Sequence, residues 1–310
     1  MFVSVIIPSF NGQKLLQKYL PSVIAACAHW DPSQKNWQII VVDDGSTDDT
    51  VTWVKQNYPM IKVVKNSSTL RFARAVNRGV KEARGEIVLL LNNDVKPDKN
   101  FLQPLLGHFD DPQVFAVGCL ERNEVAGQTI LGGRGVGQFS RGFLIHARAH
   151  DQMKPETLWV TAGSGAFRKS MWDKLGGFDP LFRPAYEEDR DLSYNALKAG
   201  YKAIFEPKAQ VTHLHETSNL KEFGSYRIKI MSFKNQLLFV WKNISSSKLM
   251  LSHLLWLPYH LVVTTIKTKG LFLLGFFWAV TQLGEVIMSR LRAQKLWQLS
   301  DEQILHQFKV

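Results

Sequence analysis

Two apolar runs in this sequence end in acidic and amide side chains, which are the first candidates for chemistry. The residues concerned are Asp43 and Asp44 after residues 38–42, and Asn92, Asn93 and Asp94 after residues 87–91. Open α/β sheets hold their ligands just beyond the carboxyl ends of buried strands. Carboxylates there suit a divalent cation that shares its ligands with phosphate groups. The two endings therefore predict a site for a nucleotide diphosphate and its cation.

The segments around these endings alternate between strand and helix patterns. The predicted strands lie at residues 3–8, 39–42, 61–64 and 87–91, and the predicted helices at 15–24, 51–58 and 72–83. Such alternation predicts an α/β fold with a Rossmann-like, mainly parallel sheet flanked by helices. Residues 110–154 show no clear pattern, and residues 132–137 predict a glycine-rich loop. Further along, we predict strands at 159–167 and 202–205 and helices at 169–175 and 192–199.

The chain has 310 residues, 45% of them hydrophobic and 21% charged, which is typical of a globular protein. Cys27 and Cys119 show no paired spacing, so we expect neither a disulfide framework nor a cysteine metal site. A reducing compartment is expected. The first residues lack the basic and long apolar regions of a signal peptide, so we expect a cytoplasmic protein.

Composition changes near residue 218 and divides the chain into residues 1–218 and a tail of residues 219–310. Residues 216–310 contain 12 Lys+Arg and 5 Asp+Glu, so much of the net charge of +11 belongs to the tail. Residues 249–266 and 271–288 are apolar but carry polar interruptions, among them His253 and Glu285. The favoured interpretation is membrane association on the inner face, either as basic, amphipathic helices lying on an anionic surface or as a short hairpin dipping into it. The alternative is that these helices simply pack on the rest of the protein.

Eight short stretches, in order, resemble the family 2 glycosyltransferases with the GT-A fold, and most closely their rhamnosyltransferase-like branch. The resemblance covers about residues 3–218. The matching stretches are residues 5–11, 41–48, 72–79 and 90–94, followed by 163–167, 176–179, 188–192 and 211–213. Any one of these motifs would be weak evidence, but their common order is a strong signal. The resemblance implies a nucleotide-binding half at about residues 1–95 and an acceptor half at about 96–218.

The resemblance also implies roles for individual residues. The predicted contacts to a nucleotide diphosphate sugar are Pro8, Ser9, Asn11, Asp43, Asp44, Arg71, Asn77, Asn92 and Asn93. Asp94 and His213 are implied as ligands of Mg²⁺ or Mn²⁺, and His215 is a less favoured ligand. Asp189 matches the family's catalytic base, and Glu188 is expected to orient it or to contact the acceptor. Arg71 stands where relatives usually have glycine, so it is either a phosphate contact or a solvent-facing side chain.

The implied reaction is metal-dependent, inverting transfer of a sugar to a lipid-linked or polysaccharide acceptor in bacterial cell-surface glycan synthesis. A sugar-1-phosphate nucleotidyltransferase and a degenerate, non-catalytic sugar-binding protein are the alternatives. A dinucleotide-dependent dehydrogenase is excluded because no Gly-x-Gly-x-x-Gly follows the first strand. A nucleic-acid partner is not expected, because the positive charge accompanies apolar helices. The sugar, the nucleotide base, the acceptor and the oligomeric state remain open.

Overall fold

The chain up to Pro97 folds as alternating strands and helices, as the sequence predicts. The computed structural model describes residues 1–125, 127–214 and 219–308. The elements of this first part are β1 (Val3–Ser9), α1 (Gln13–Trp30), β2 (Trp37–Asp43), α2 (Thr50–Asn57), β3 (Lys62–Lys65), α3 (Phe72–Lys81), β4 (Ile87–Leu90) and β5 (Val95–Pro97). β1, β2 and β4 are largely apolar runs because the middle of the sheet is buried on both faces.

The middle of the chain adds six strands and three helices. They are α4 (Leu102–Gly107), β6 (Val114–Val125), β7 (Gln128–Gly132), β8 (Gly135–Ser140), β9 (Phe143–Arg148), β10 (Ala166–Arg168), α5 (Lys169–Leu175), α6 (Glu188–Lys198) and β11 (Lys202–His213). Short 3₁₀ turns occupy His108–Asp110 and Pro180–Phe182. Helix α6, which the sequence predicts at residues 192–199, begins four residues earlier, at Glu188. The acidic run of the sequence therefore lies in its first turn.

Nine strands form one mixed sheet in the order β3-β2-β1-β4-β10-β6-β11-β5, with β7 paired to β6. β1 runs parallel to β2 and β4, so that Val5 pairs with Ile39 and Leu89. β10 runs antiparallel to both β4 and β6. The sheet is thus parallel in its first half and mixed in its second. The predicted Rossmann-like sheet is confirmed, and its second half is mixed because no crossover helix separates β6 from β10.

Two local predictions in the middle of the chain are wrong. Residues 132–137 are not a loop: β7 ends and β8 begins within them, and the glycines permit close packing. A Cβ on Gly135 would lie 2.2 Å from the Trp159 ring, and Gly133 has a φ of +113°. The strand predicted at 159–167 is confined to β10, because most of that apolar run forms a loop over the sheet.

The sheet separates two hydrophobic clusters, because successive residues of a strand face opposite sides. Val5 and Leu89 belong to the cluster beneath α1 and α4. Ile6 and Leu90 belong to the other cluster, which also contains Phe239 from the tail. The tail and the sheet therefore share one core.

The tail is helical throughout the part that the structure describes. Its elements are α7 (Asn219–Asn243), α8 (Ser247–Tyr259), a π-helical turn (His260–Thr264), α9 (Thr265–Lys267), α10 (Leu271–Thr281), α11 (Leu283–Ala293), a 3₁₀ turn (Gln294–Leu296) and α12 (Asp301–Gln307). Buried ion pairs join it to the rest: Lys242 Nζ lies 2.8 Å from Asp179 and 2.6 Å from Asp191. Lys198 and Asp301, both fully buried, lie 3.0 Å apart. The tail therefore packs as a layer of the same fold. A domain boundary near residue 218 stays a prediction.

One described helical stretch, Ser247–Lys267, is long and apolar enough to cross a membrane, and only 6% of its most apolar part is buried. A second candidate, Leu271–Thr281 with Leu283–Leu296, is bent by 65°. Length and composition alone do not decide between a membrane span and a helix lying on a surface.

Candidate functional site

Asp94 and His213 meet at the carboxyl edge of the sheet. Asp94 lies in the turn before β5, and His213 ends β11, where it pairs with Val95 across the antiparallel ladder. Asp94 Oδ1 is 3.2 Å from His213 Nε2, and Asp94 is 2% exposed. Burial lowers the pKa of His213, but the hydrogen bond and charge of Asp94, with the charge of Glu121, raise it above its ordinary value. The fold thus brings together the two residues that the sequence predicts as metal ligands.

The chemistry of this pair fits a cation that is shared with a diphosphate. Within the described residues, no group of three or more His, Cys, Asp or Glu side chains is arranged to hold a metal ion alone. Mg²⁺ needs only one or two protein carboxylates when phosphate oxygens complete its shell, and Mn²⁺ also accepts oxygen donors. The less favoured candidate, His215, lies outside the described residues.

The loop of residues 161–165 connects this edge to the predicted base. The Asn92 N–H donates to the Gly163 carbonyl at 2.9 Å, and the Ala162 N–H donates to Asp189 Oδ2 at 3.4 Å. A Cβ on Gly163 would lie 2.7 Å from Asn92 Nδ2, so this approach requires glycine. Asp189 therefore lies across one short loop from the end of β4, close to where Asn92 and Asp94 begin the next turn.

Asp189 and Glu188 occupy the first turn of α6, where the helix dipole favours negative charge. Asp189 Oδ1 also accepts the N–H of Arg190 at 2.8 Å. Burial, and then the charge of Asp189, raise the pKa of Glu188 to about 8. A protonated Glu188 adds no second negative charge beside Asp189 and can donate a hydrogen bond.

Glu121 is a site residue that the sequence analysis missed. It is 8% exposed, and its Oε1 accepts the Ser164 hydroxyl at 2.6 Å from the same loop of residues 161–165. Burial raises the pKa of Glu121; the Ser164 bond and the charge of His213 oppose this, and the charge of Asp189 adds to it. Glu121 therefore lies within electrostatic range of both the base and the histidine. A carboxylate directly after the apolar stretch 114–120 was the available signal.

Asp44 is bonded to the protein through both carboxylate oxygens. Oδ1 accepts Asn66 Nδ2 at 2.7 Å and the Leu70 N–H at 2.8 Å; Oδ2 accepts the Thr69 hydroxyl at 2.8 Å and the Arg71 N–H at 2.9 Å. Four donors on one buried carboxylate organise the loop of residues 66–71. In this structure the Asp44 carboxylate holds that loop in place. A contact from Asp44 to the nucleotide base stays a prediction.

The other predicted donor contacts at the ends of β1 and β2 form a bonded network. Pro8 and Ser9 lie in β1, and Asp43 is fully buried with one oxygen, Oδ1, that has no hydrogen-bond partner within the described chain. The bonds between the loops are Asn93 Nδ2 to Ser9 Oγ at 3.0 Å and the Thr47 N–H to Asn11 Oδ1 at 2.8 Å. The predicted residues of both strand ends therefore lie together at one edge.

Two side chains that the sequence predicts to contact the nucleotide sugar make contacts within the protein. Asn77 donates to the Phe178 carbonyl at 2.7 Å and accepts the Phe178 N–H at 2.9 Å, so its amide joins α3 to the following turn. A contact from Asn77 to the nucleotide sugar stays a prediction. The Arg71 guanidinium pairs with Glu222 of the tail and lies 5.3 Å from the Phe223 ring centre. Arg71 thus contacts α7 with its side chain 39% exposed, and a contact from Arg71 to a phosphate stays a prediction.

Known proteins resemble the chain in both sequence and fold. Residues 4–176 match the model of Glycosyl transferase family 2. The O-antigen chain rhamnosyltransferase RfbN of Salmonella typhimurium is 24% identical over 236 residues, which cover 73% of this chain and 70% of the relative. The N-acetylglucosaminyl-diphospho-decaprenol L-rhamnosyltransferase of Mycobacterium tuberculosis is 25% identical over 227 residues, covering 64% and 71%. Other relatives are longer: the chain spans 25% of the Sinorhizobium fredii protein y4gI and 43% of a Mycobacterium tuberculosis pre-mycofactocin glycosyltransferase.

Two solved structures share the fold at low sequence identity. GalNAc-T7 with UDP, GalNAc and Mn²⁺ is 19% identical with a TM-score of 0.59, covering 78% of this chain and 48% of the other. The Pyrobaculum calidifontis mannosyltransferase PcManGT, in complex with GDP-Man and Mn²⁺, is 18% identical with a TM-score of 0.55, covering 95% and 85%. The predicted GT-A fold is confirmed by these neighbours and by the mixed sheet with flanking helices. With a family model matching more than half of its length, the chain belongs to glycosyl transferase family 2.

Proposed function

We propose that this protein is a metal-dependent, inverting glycosyltransferase that transfers a sugar from a nucleotide diphosphate donor. The observation that carries the proposal is the convergence at one sheet edge of Asp94 with His213, 3.2 Å apart, and of Asp189 across the loop of residues 161–165. A cation-binding pair and a carboxylate base at such spacing are what displacement of a diphosphate by a hydroxyl requires. The metal complexes of the two solved neighbours support a divalent cation.

The proposed reaction is a displacement at the anomeric carbon of the donor sugar. The acceptor oxygen forms the new bond as the bond to the diphosphate breaks, and the diphosphate departs with the electron pair. Asp189 accepts the hydroxyl proton as the hydroxyl becomes acidic in the transition state. A cation at Asp94 and His213 would neutralise charge on the diphosphate. With one base and no separate nucleophile, the anomeric configuration inverts.

The proposed acceptor is a lipid-linked or growing glycan, and the proposed sugar class is the one named by the rhamnosyltransferase relatives. A sugar-1-phosphate nucleotidyltransferase is disfavoured by the family membership. A non-catalytic sugar-binding protein would keep the fold but would show no turnover.

A donor screen tests the proposal. Nucleoside diphosphate release is followed from a panel of nucleotide sugars, with a polyprenyl diphosphate-linked sugar as acceptor and with Mn²⁺, Mg²⁺ or EDTA. We expect release from one donor class only when both acceptor and cation are present. Absence of release from every donor would contradict an enzyme, and undiminished release in EDTA would contradict the metal role.

We also propose that the tail docks the enzyme on the cytoplasmic face of a membrane, with α8 in the plane of the surface. α8 and the π-helical turn that follows it are bonded on one side to the turn between β8 and β9. His253 Nδ1 lies 2.7 Å from the Gly142 carbonyl, and His260 Nε2 lies 2.8 Å from the Arg141 carbonyl. A helix held against the protein at both positions is poorly placed to cross a bilayer.

The opposite side of α8 and the neighbouring helices expose apolar side chains beside basic ones. Exposed apolar residues include Leu251, Leu254, Leu255, Val262, Ile266, Leu274, Phe277, Ile287 and Met288. Lys248, Lys267, Lys269, Arg292 and Lys295 are exposed in the same region. Apolar area with flanking cations fits an anionic lipid surface. The buried, free thiols of Cys27 and Cys119 accord with a reducing compartment.

Vesicle flotation tests the docking proposal. The full chain should float with vesicles containing phosphatidylglycerol and less with neutral phosphatidylcholine vesicles. Leu255→Glu with Ile266→Glu should abolish flotation, whereas Met60→Glu, at an exposed apolar residue outside the tail, should not. Equal flotation of the double variant and the wild type would contradict a docking role for this face.

A further inference from the structure

The backbone that leads into Asp189 has an unusual conformation. Tyr186 and Glu187 have φ values of 73° and 75°, two consecutive left-handed residues of which neither is glycine. Such conformations are disfavoured for residues with a large side chain, and they persist only where the surroundings hold them. Glu187 then begins α6, since its carbonyl accepts the Asp191 N–H at 2.8 Å. The direction in which α6 presents Asp189 therefore depends on this two-residue turn.

Helix α7 of the tail holds the backbone of this turn through two fully buried side chains. Asn235 Nδ2 donates to the carbonyls of Ala185 and Tyr186, each at 3.0 Å. Lys234 Nζ donates to the Arg183 carbonyl at 2.5 Å. Both side chains are 0% exposed, so competition from water for these bonds is excluded.

The other side of the turn is held through the Glu187 side chain. Glu187 pairs with Arg190 and lies 3.4 Å from His146 Nε2 of β9. The Arg190 guanidinium in turn lies 5.6 Å from the Trp159 ring centre. These contacts fix the side chain, while the backbone carbonyls of the turn are fixed by α7. Removing the α7 bonds would therefore release the backbone without removing the contacts of the Glu187 carboxylate.

We propose that Asn235 and Lys234 are positioning residues for the transfer reaction. By binding three carbonyls of residues 183–186, they hold the left-handed turn that aims Asp189 at the acceptor hydroxyl. The tail is then part of the catalytic apparatus in addition to its proposed membrane role. The inference rests on the proposed function in one respect: Asp189 must be the base.

Substitution of Asn235, with a matched control on the same helix, tests the inference. Asn235→Ala should lower kcat by about 10- to 100-fold with the donor KM little changed, because a small misplacement of a reacting group costs about that much. Leu238→Ala truncates another fully buried side chain of α7, one that packs in the hydrophobic cluster. It should lower stability comparably and leave kcat near wild type. An equal loss of kcat in both variants would overturn the proposal.

Hydrogen exchange separates failure of this inference from failure of the proposed function. In Asn235→Ala, the amides of residues 186–191 should exchange about tenfold faster than in Leu238→Ala, whether or not any sugar is transferred. Unchanged exchange there would overturn the positioning role, even in an active enzyme.

A rescue variant sharpens the test. Asn tolerates the left-handed region far better than Tyr, so Tyr186→Asn should restore part of the kcat lost in Asn235→Ala. A double variant no more active than Asn235→Ala would show that Asn235 does not act by holding this turn.

Discussion

Two groups of buried carboxylates in this protein are stabilised in different ways. At the junction with the tail, Asp179 and Asp191 share Lys242, and Asp301 pairs with Lys198. At the sheet edge, no described lysine lies within ion-pair distance of Glu121, Glu188 or Asp189. Glu121 accepts a serine hydroxyl, and Asp189 accepts backbone N–H groups.

Asp301 and Glu188 have opposite pKa shifts, whereas burial leaves the pKa of the lysine-paired Asp191 raised. Burial raises the pKa of Asp301, but Lys198 and neighbouring donors reverse this and leave it below its ordinary value. Burial and Asp189 raise the pKa of Glu188 to about 8. A buried carboxylate paired with lysine has its charge compensated in the folded state, whereas a cluster without such a partner is costly unless a ligand supplies positive charge or hydrogen-bond donors. Asp301 and Glu188 therefore differ in what compensates their burial.

The largest expected effect is on the rate of transfer, at the proposed base Asp189. Asp189→Asn keeps the shape of the side chain and removes its basicity, so kcat should fall by about 10³-fold. Donor binding should be unchanged, because the proposed cation pair is intact. Steady-state transfer rates, with donor affinity from calorimetry, provide the measurement. A variant within tenfold of wild type would reject Asp189 as the base.

Among the lysine-paired carboxylates at the junction with the tail, Asp301→Asn should lower the free energy of unfolding by about 3–5 kcal/mol, because it leaves Lys198 buried without its negative partner. Urea denaturation measures this. The surface pair of Lys202 and Asp111, 2.8 Å apart and about half exposed, is the control. Asp111→Asn should change stability little. Equal losses in both variants would contradict the distinction between buried and exposed pairs.

A smaller effect is expected at the proposed cation pair. Asp94→Ala should weaken the cation-dependent part of donor binding by about 100-fold, at the upper end of what even indirect metal contacts contribute. Asp98→Ala removes a nearby carboxylate that pairs with Arg122 at 2.5 Å and should have no such effect. Donor titrations in Mn²⁺ and in EDTA make the comparison. Identical cation dependence in Asp94→Ala and wild type would exclude Asp94 as a ligand.

The most gradual effect concerns pH. Because folding raises the pKa of Glu188 from 4.5 to about 8, the folded state keeps a proton that the unfolded state loses between these values. The resulting stability is complete at low pH and is lost as pH rises, by on the order of 1 kcal/mol per unit. Glu188→Gln should lack this loss in denaturation curves from pH 5 to 8. Parallel curves for variant and wild type would show that Glu188 ionises normally.

The sequence was most informative where each element is buried on both faces. β1, β2 and β4 are continuous apolar runs, and their predicted bounds differ from the structure by one or two residues. Residues 110–154 gave no pattern because β6 to β9 form antiparallel hairpins whose glycines serve close packing, as Gly135 does against Trp159. The apolar run 159–167 was misassigned because a buried loop has the composition of a buried strand.

The site residues that lie within family motifs could be predicted from the sequence. Asp94, His213 and Asp189 are far apart in sequence and close together in the fold, although their individual roles stay predictions. Asn77 belongs to a motif but is bonded to Phe178, which no spacing rule reveals. Glu121 was missed because its position depends on strand pairing in the part of the sequence without a pattern. The contacts of α7 with residues 183–186 depend on tertiary packing and leave no local signal.

The central claim is that Asp94 and His213 share a divalent cation with a nucleoside diphosphate, with Asp189 facing the sugar. Anomalous diffraction from crystals grown with Mn²⁺ and a nucleoside diphosphate tests it directly. We predict one manganese peak about 2–2.5 Å from the Asp94 carboxylate and His213 Nε2, bridged to diphosphate oxygens, with Asp189 beside the vacant sugar position. Manganese and diphosphate bound elsewhere, or away from each other, would contradict the claim.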